Sequence, residues 1–125
     1  MSIDEIMSDA LQRPAGHYSH AVRAGGLVFV AGLLPFARDG HALAGEPFDV
    51  QTAQVLANLD AVLTAAGSTR AALVQVRVYI TDIANWAQFN QLYAAWIGER
   101  RPARCVVPVP TLHHGVLLEI EAVAT

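Results

Sequence analysis

The chain has 125 residues, enough for one domain that buries about two-thirds of its unfolded surface. It is 54% hydrophobic and only 15% charged, against about 25% charged in an average domain, so the expectation is a self-associating protein whose apolar surface is covered by copies of itself. A formal net charge of −3, with no basic run beyond "GERRPAR", argues against a nucleic-acid binder, which presents a basic patch to the phosphates.

The opening "MSIDEIMSDALQ" is acidic and lacks the basic and apolar regions of a secretory leader. Ile3, Ile6, Met7, Ala10 and Leu11 follow amphipathic-helix spacing, so residues 1–14 read as an extension, either helical or frayed. In "HYSHAVRAGGLVFVAGLLPF" two short β-type runs flank "AGG", a hairpin. "ARDGHALAGEPFD" is turn-rich and reads as a loop. From Ala53 a helix is predicted: Leu56, Leu59, Leu63 and Ala66 share a stripe, while Gln51, Gln54, Asn58 and Asp60 lie away from it. Asp49 suits its N-cap and Gly67 its C′ position.

"LVQVRVYI" alternates as a half-buried strand, with Val74, Val76, Val78 and Ile80 on one face and Gln75, Arg77 and Tyr79 on the other. Trp86, Phe89, Tyr93 and Trp96 then recur at helical spacing, a stripe that reads as core, and Gly98 ends that helix. Two strands, about 103–109 and 116–124, close the chain across "PTLHHG". The predicted order is β-β-α-β-α-β-β. That order fits an α+β domain in which a sheet carries two helices on one face and meets neighbouring copies with the other.

"RPARC" places an arginine at the mouth of one apolar strand, and "LEIEA" places two glutamates on the next. If these strands form an antiparallel hairpin pairing Val109 with Val116, Arg104 lies opposite Glu121. Glu119 then shares the face diagonally. One reading is a structural ion pair. The other is a carboxylate receptor, in which the guanidinium fork grips an anion and a glutamate of raised pKa holds a proton. The spacing leaves both open.

"RPARCVVPVPTLHHGVLLEIEAVA" resembles the C-terminal segment of the RidA (YjgF-type) reactive intermediate deaminase family. "GHYSHAVRAGGLVFVAGLLP" is similar to the family's opening segment. "QTAQVLANLDAVLTAAGS" and "VRVYITDIANWAQFNQLYAAW" look like its two helical stretches. The resemblance runs over residues 15–125. It implies a single chorismate-mutase-like (RidA/YjgF-like) α+β domain, with a mixed sheet and two helices packed on one face, assembled as a homotrimer with sites between subunits. It implies enamine and imine hydrolysis, of 2-aminoacrylate or 2-iminopropionate for example, to a 2-keto acid and ammonia. That chemistry needs no cofactor and no metal. Carried over, Arg104 binds the substrate carboxylate, Glu119 positions or protonates through a water, and Tyr18 is the cleft tyrosine. Gly32, Asn90 and Val106 line the pocket.

The chain departs from the family pattern at Val106, where a cysteine is common; at Ala31 and Leu33, where serine and glutamine flank the glycine; and at His17, Pro108, Pro110 and His113. These changes bear on substrate identity more than on reaction type.

Cys105, on the face opposite Arg104, reads as a core residue rather than a nucleophile. A lone cysteine excludes an internal disulfide and fits a reducing compartment. No run approaches the roughly 20 apolar residues of a membrane span, so a soluble, cytoplasmic protein is expected, with a small 2-imino or 2-keto acid as its partner and neither nucleic acid nor membrane. His17, His20, His41, His113 and His114 lack the convergence of a metal site; His113 or His114 could instead tune proton transfer at a cleft. The alternative function class is a non-catalytic module of the same fold that binds small carboxylates or serves assembly.

Overall fold

The computed structural model describes residues 2–125. Six strands and two helices run in the order β1 (Ile3–Ile6), β2 (Ala21–Ala24), β3 (Leu27–Leu33), α1 (Phe48–Ala65), β4 (Leu73–Ile80), α2 (Trp86–Ile97), β5 (Ala103–Pro108) and β6 (Leu118–Ala124). The sheet order is β1-β2-β3-β6-β4-β5.

The β2–β3 hairpin turns at Gly25 and Gly26, whose φ values of 58° and 78° suit a two-residue turn of the primed type. The expected N-terminal helix is a strand instead. Residues 3–6 pair antiparallel with β2, Ile3 opposite Ala24 and Ile6 opposite Ala21. The free hydrogen-bonding edge of β2 overrides the weak helical periodicity.

Val55, Leu59, Val62 and Leu63 of α1 are fully buried, and Gly67 follows at φ 72° in the expected C′ position. The N-cap position belongs to Pro47, and Asp49 lies inside the first turn. Pro47 has φ −56° and needs no donor there, whereas Asp49 in the first turn faces the positive helix end. Gln51 and Asn58, which the sequence placed away from the apolar stripe, are buried at 0% and 4% exposure.

The last two strands do not form a hairpin. β5 pairs parallel with β4, Val76 beside Arg104, and β6 lies between β3 and β4, antiparallel to both. Two physical reasons account for this. β4-α2-β5 is a βαβ unit, whose crossover makes its strands parallel. Every second residue of β6, from Leu118 to Ala124, is buried, which suits a central strand. β5 ends at Pro108, which suits an edge because proline cannot donate to a ladder.

Both helices cover the face that carries Val28, Val30, Val76, Val78, Ile80, Leu118 and Ile120, all 5% exposed or less. The opposite face carries Phe29, Arg77, Tyr79, Cys105, Glu119, Glu121 and Val123, and no helix covers it. Cys105 is therefore exposed and not a core residue; alternation set its face correctly, but that face is the uncovered one. No helix among the described residues is long and apolar enough to cross a membrane.

Candidate active site

Arg104 shares the helix-covered face with Val76 and projects toward α2. Trp86, Phe89 and Tyr93 lie at helical spacing, so their rings stand on one side of α2. The guanidinium carbon is 5.0 Å from the centroid of Tyr93, 5.7 Å from Phe89 and 5.8 Å from Trp86. These are cation–π distances. Phe89 and Tyr93 stack at 5.6 Å, closing the trough. Among the described residues no carboxylate lies within ion-pair distance of Arg104. The Tyr93 hydroxyl is buried beside it without a hydrogen-bond partner. Burial pushes the Tyr93 phenol up, against the opposing pull of Arg104.

Glu119 lies across the ladder from Tyr79, on the uncovered face. On the neighbouring strand, β3 gains a residue between Val30 and Leu33, opposite Glu121, a bulge that re-aims the chain. Gly32 is the residue that this bulge brings against the carboxylate: a methyl group there would sit 2.2 Å from Glu119 Oε2. Partial burial pushes the Glu119 carboxyl up, the His113 imidazole pulls it down, and the neighbouring Glu121 charge raises it. A carboxyl in such a setting can hold or deliver a proton.

The two glutamates have different work. Tyr79 Oη donates to Glu121 Oε1 at 2.7 Å, and Arg77 Nη1 lies 3.7 Å from the same oxygen. That hydrogen bond, with burial, pushes the Tyr79 phenol up to about 12. Glu121 is the structural ion pair that the sequence left as one alternative. Its cation is Arg77, not Arg104.

A cavity of about 390 Å³ adjoins Gly32, lined also by Tyr18, Leu33, Phe36, Asn58 and His114. Tyr18 is 53% exposed at its mouth. His114, in a left-handed conformation at φ 62°, sets its ring edge-on to Phe36 at 5.2 Å. Three buried polar residues fix the backbone around the cavity, of which Asn58 and His20 also line it, and the sequence pattern assigns none of them a role. Asn58 Nδ2 donates to the carbonyls of Leu34 and Phe36, at 3.2 and 3.0 Å, pinning the loop after β3. Gln51 Oε1 accepts from Leu117 N–H at 2.8 Å, fixing the entry to β6 just before Glu119. His20 Nδ1 accepts from Ser8 N–H at 2.9 Å, and its Nε2–H therefore donates to the Gln12 carbonyl at 3.0 Å.

The sequence-derived site thus separates into two halves. Tyr18, Gly32 and Glu119 belong together at the cavity and its rim. Arg104 and half-buried Val106 stand on the other face of the sheet with the α2 aromatics. Asn90 is half-buried on α2, next to Phe89, and does not line the cavity. The expected same-face pairing of Arg104 with Glu119 is incorrect, because it depends on a β5–β6 hairpin. Among the described residues no group of three or more His, Cys, Asp or Glu is placed to hold a metal ion.

The family model described as Endoribonuclease L-PSP matches residues 7–125. The chain is 41% identical over 120 residues to a RutC family protein of Pyrococcus horikoshii, covering 95% of this chain and 94% of that one. It is 33% identical over 110 residues to Reactive Intermediate Deaminase A, chloroplastic, of Arabidopsis thaliana, covering 88% of this chain and 59% of that one. The crystal structure of E. coli TdcF with bound serine superposes with a TM-score of 0.91 at 29% identity, covering 98% of each chain. A match over residues 7–125, a shared mixed sheet with two helices and these relatives lead to one conclusion: the chain belongs to the RidA (YjgF, endoribonuclease L-PSP) family.

Proposed function

We propose that the protein is an enamine/imine deaminase that hydrolyses 2-imino acids, such as 2-iminopropionate and its enamine tautomer 2-aminoacrylate, to 2-keto acids and ammonia. The observation that carries this reading is Arg104. Its guanidinium has no acidic partner among the described residues and is steadied by three aromatic rings. A structural arginine would be neutralised. One held by ring faces keeps its N–H fork available to an incoming carboxylate.

Arg104 and Glu119 point away from opposite faces of the sheet, so the reading requires two copies to complete one site. A homotrimer that packs the uncovered sheet faces together supplies such clefts, and the apolar composition favours it. Arg104 of one copy holds the carboxylate, and the Gly32, Glu119 and Tyr18 cluster of the next faces the reacting carbon. The serine bound to E. coli TdcF is itself a small α-amino carboxylate, which agrees with a carboxylate receptor.

The chemistry asks little of the protein. An imine carbon is already electrophilic, so fixing its orientation supplies much of the acceleration. Glu119, with its raised pKa, gives a proton to the imine nitrogen and accepts one from the attacking water. The C–O bond forms, the tetrahedral carbinolamine loses its C–N bond, and one imine plus one water become one keto acid plus one ammonia. No nucleophilic side chain, metal or organic cofactor enters this scheme.

The test is the fate of 2-imino acids generated by an amino-acid oxidase in the presence of semicarbazide. The protein diverts the imine to keto acid and depresses semicarbazone formation, and Arg104→Ala loses about a hundredfold in kcat/KM, as expected for charge-assisted hydrogen bonds. Equal, slow hydrolysis with wild type and Arg104→Ala contradicts the enzyme reading. Carboxylate binding without acceleration would assign the non-catalytic module instead.

A further inference from the structure

We infer that the cavity beside Gly32 receives the substrate's side chain and selects 2-imino acids whose side chain is large and apolar, branched aliphatic or aromatic, over methyl and over hydroxyl-bearing ones. This rests on the deaminase reading for the place of the reacting carbon, and goes beyond it in naming the substrate class.

Three observations support the assignment. The first is continuity. Gly32 belongs to the cavity wall and also abuts the Glu119 carboxylate, where a methyl group would lie 2.2 Å from Oε2. An imine carbon held against Glu119 therefore has a wall residue of this cavity, Gly32, as its neighbour. The second is size. At about 390 Å³ the space is within the range of small-molecule pockets, far more than a methyl group fills.

The third is the chemistry of the walls. Leu11, Leu33, Leu34, Phe36, Ala37 and Ala42 are all apolar. The two buried polar side chains that reach the cavity are already committed to the protein. Both ring nitrogens of His20 are used, by Ser8 N–H and the Gln12 carbonyl. Asn58 spends both amide hydrogens on Leu34 and Phe36 and accepts from Gln54 Nε2 at 2.9 Å. Of the two charges in the lining, Arg13 and Asp39, both are exposed, and Asp39 pairs with His41 at 2.5 Å. The remaining polar side chains of the lining, Gln12, Tyr18 and His114, are exposed. A hydroxyl deep in the recess therefore exchanges water for walls whose buried polar groups are already paired, whereas added methylenes exchange water for hydrocarbon.

The test compares imines derived from alanine, serine, leucine and phenylalanine with wild-type protein and with Ala42→Phe, which fills the recess. A side chain of several carbons in an apolar pocket is worth roughly tenfold or more in kcat/KM. Wild type is expected to favour the leucine and phenylalanine imines over the alanine imine by at least that factor, with the serine imine disfavoured. Ala42→Phe is expected to erase this ratio. Independently, calorimetry on the wild-type protein should show 4-methyl-2-oxopentanoate binding roughly tenfold more tightly than pyruvate. Hydrolysis of all four imines at similar kcat/KM overturns the side-chain assignment and leaves the deaminase reading standing. If no imine is hydrolysed, the deaminase reading fails, and the keto-acid comparison alone decides the cavity: tighter binding of the branched acid supports it, equal affinity overturns it.

Discussion

Arg104 and Glu119 project from opposite faces of one sheet, Arg104 beside Val76 under α2 and Glu119 beside Tyr79 on the face that no helix covers. The proposed chemistry needs the two residues in one place, and the thickness of the sheet separates them. In that reading, the β-bulge at Gly32 and the aromatic side of α2 each prepare half of a site. Most consequences can be tested on one half at a time.

Gly32→Ala tests the fit between the bulge and the acid. The added methyl meets the flexible end of Glu119, not backbone, so the fold tolerates it and the carboxylate moves. Misplacing a catalytic group by about 1 Å can cost on the order of a hundredfold. Imine hydrolysis is expected to fall by at least tenfold with an unchanged circular dichroism spectrum; full activity would mean that the position of Glu119 is immaterial.

Trp86 is 42% exposed, so Trp86→Leu should fold normally while removing one face of the aromatic trough around Arg104. A cation–π contact at an exposed site is worth about 0.5–1 kcal/mol. The expected effect is a rise in KM of about two- to fivefold with little change in kcat, measured by steady-state kinetics.

Asn58→Ala removes the side chain that pins the loop after β3 at two carbonyls. Leaving buried acceptors unpaired costs about 1–3 kcal/mol each. Thermal unfolding should show Tm lowered by several degrees, whereas Gln54→Ala, at the half-buried far end of the same network, should lower it less.

The folded-state pKa of Glu119 lies above its ordinary value of 4.5, chiefly through burial. Above that ordinary value the unfolded chain ionises first, and folding takes up a proton. The contribution of Glu119 to stability is thus fully present below the unfolded pKa and lost as pH rises through the folded one. Glu119→Gln removes the loss. Its stability relative to wild type should therefore increase as pH rises above about 4.5 and through the folded pKa, measured as the difference in Tm; a constant difference would show that Glu119 is unperturbed.

Much of this architecture is legible in the sequence. Alternation in "LVQVRVYI", the "AGG" turn, Gly67 and the two helical stripes each correspond to an element in the structure. Val74 is the exception to the alternation: a register shift between Leu73 and Gln75 leaves it exposed instead of on the buried face. Strand pairing is harder to read. Consecutive strands suggest a β5–β6 hairpin, although β4-α2-β5 carries the pattern of a parallel unit and the prolines at the end of β5 mark an edge. The N-terminal strand exists only because β2 offers an edge, which no local pattern in residues 3–6 announces. Family resemblance points to Arg104, Glu119, Tyr18 and Gly32. Asn58, Gln51 and His20 are silent in the sequence because their partners are backbone groups distant along the chain, visible only once the loops around the cavity are in place.

The most direct measurement mixes two inactive proteins. Arg104→Ala and Glu119→Gln are each unfolded, combined in equal amounts and refolded together, then assayed for imine hydrolysis. If each site takes its guanidinium from one copy and its acid from the next, about one site in four recovers both groups, and activity returns to about a quarter of wild type. Activity that stays at the level of the separate variants would mean that one copy must supply both residues, and the account of a site shared between subunits would be wrong.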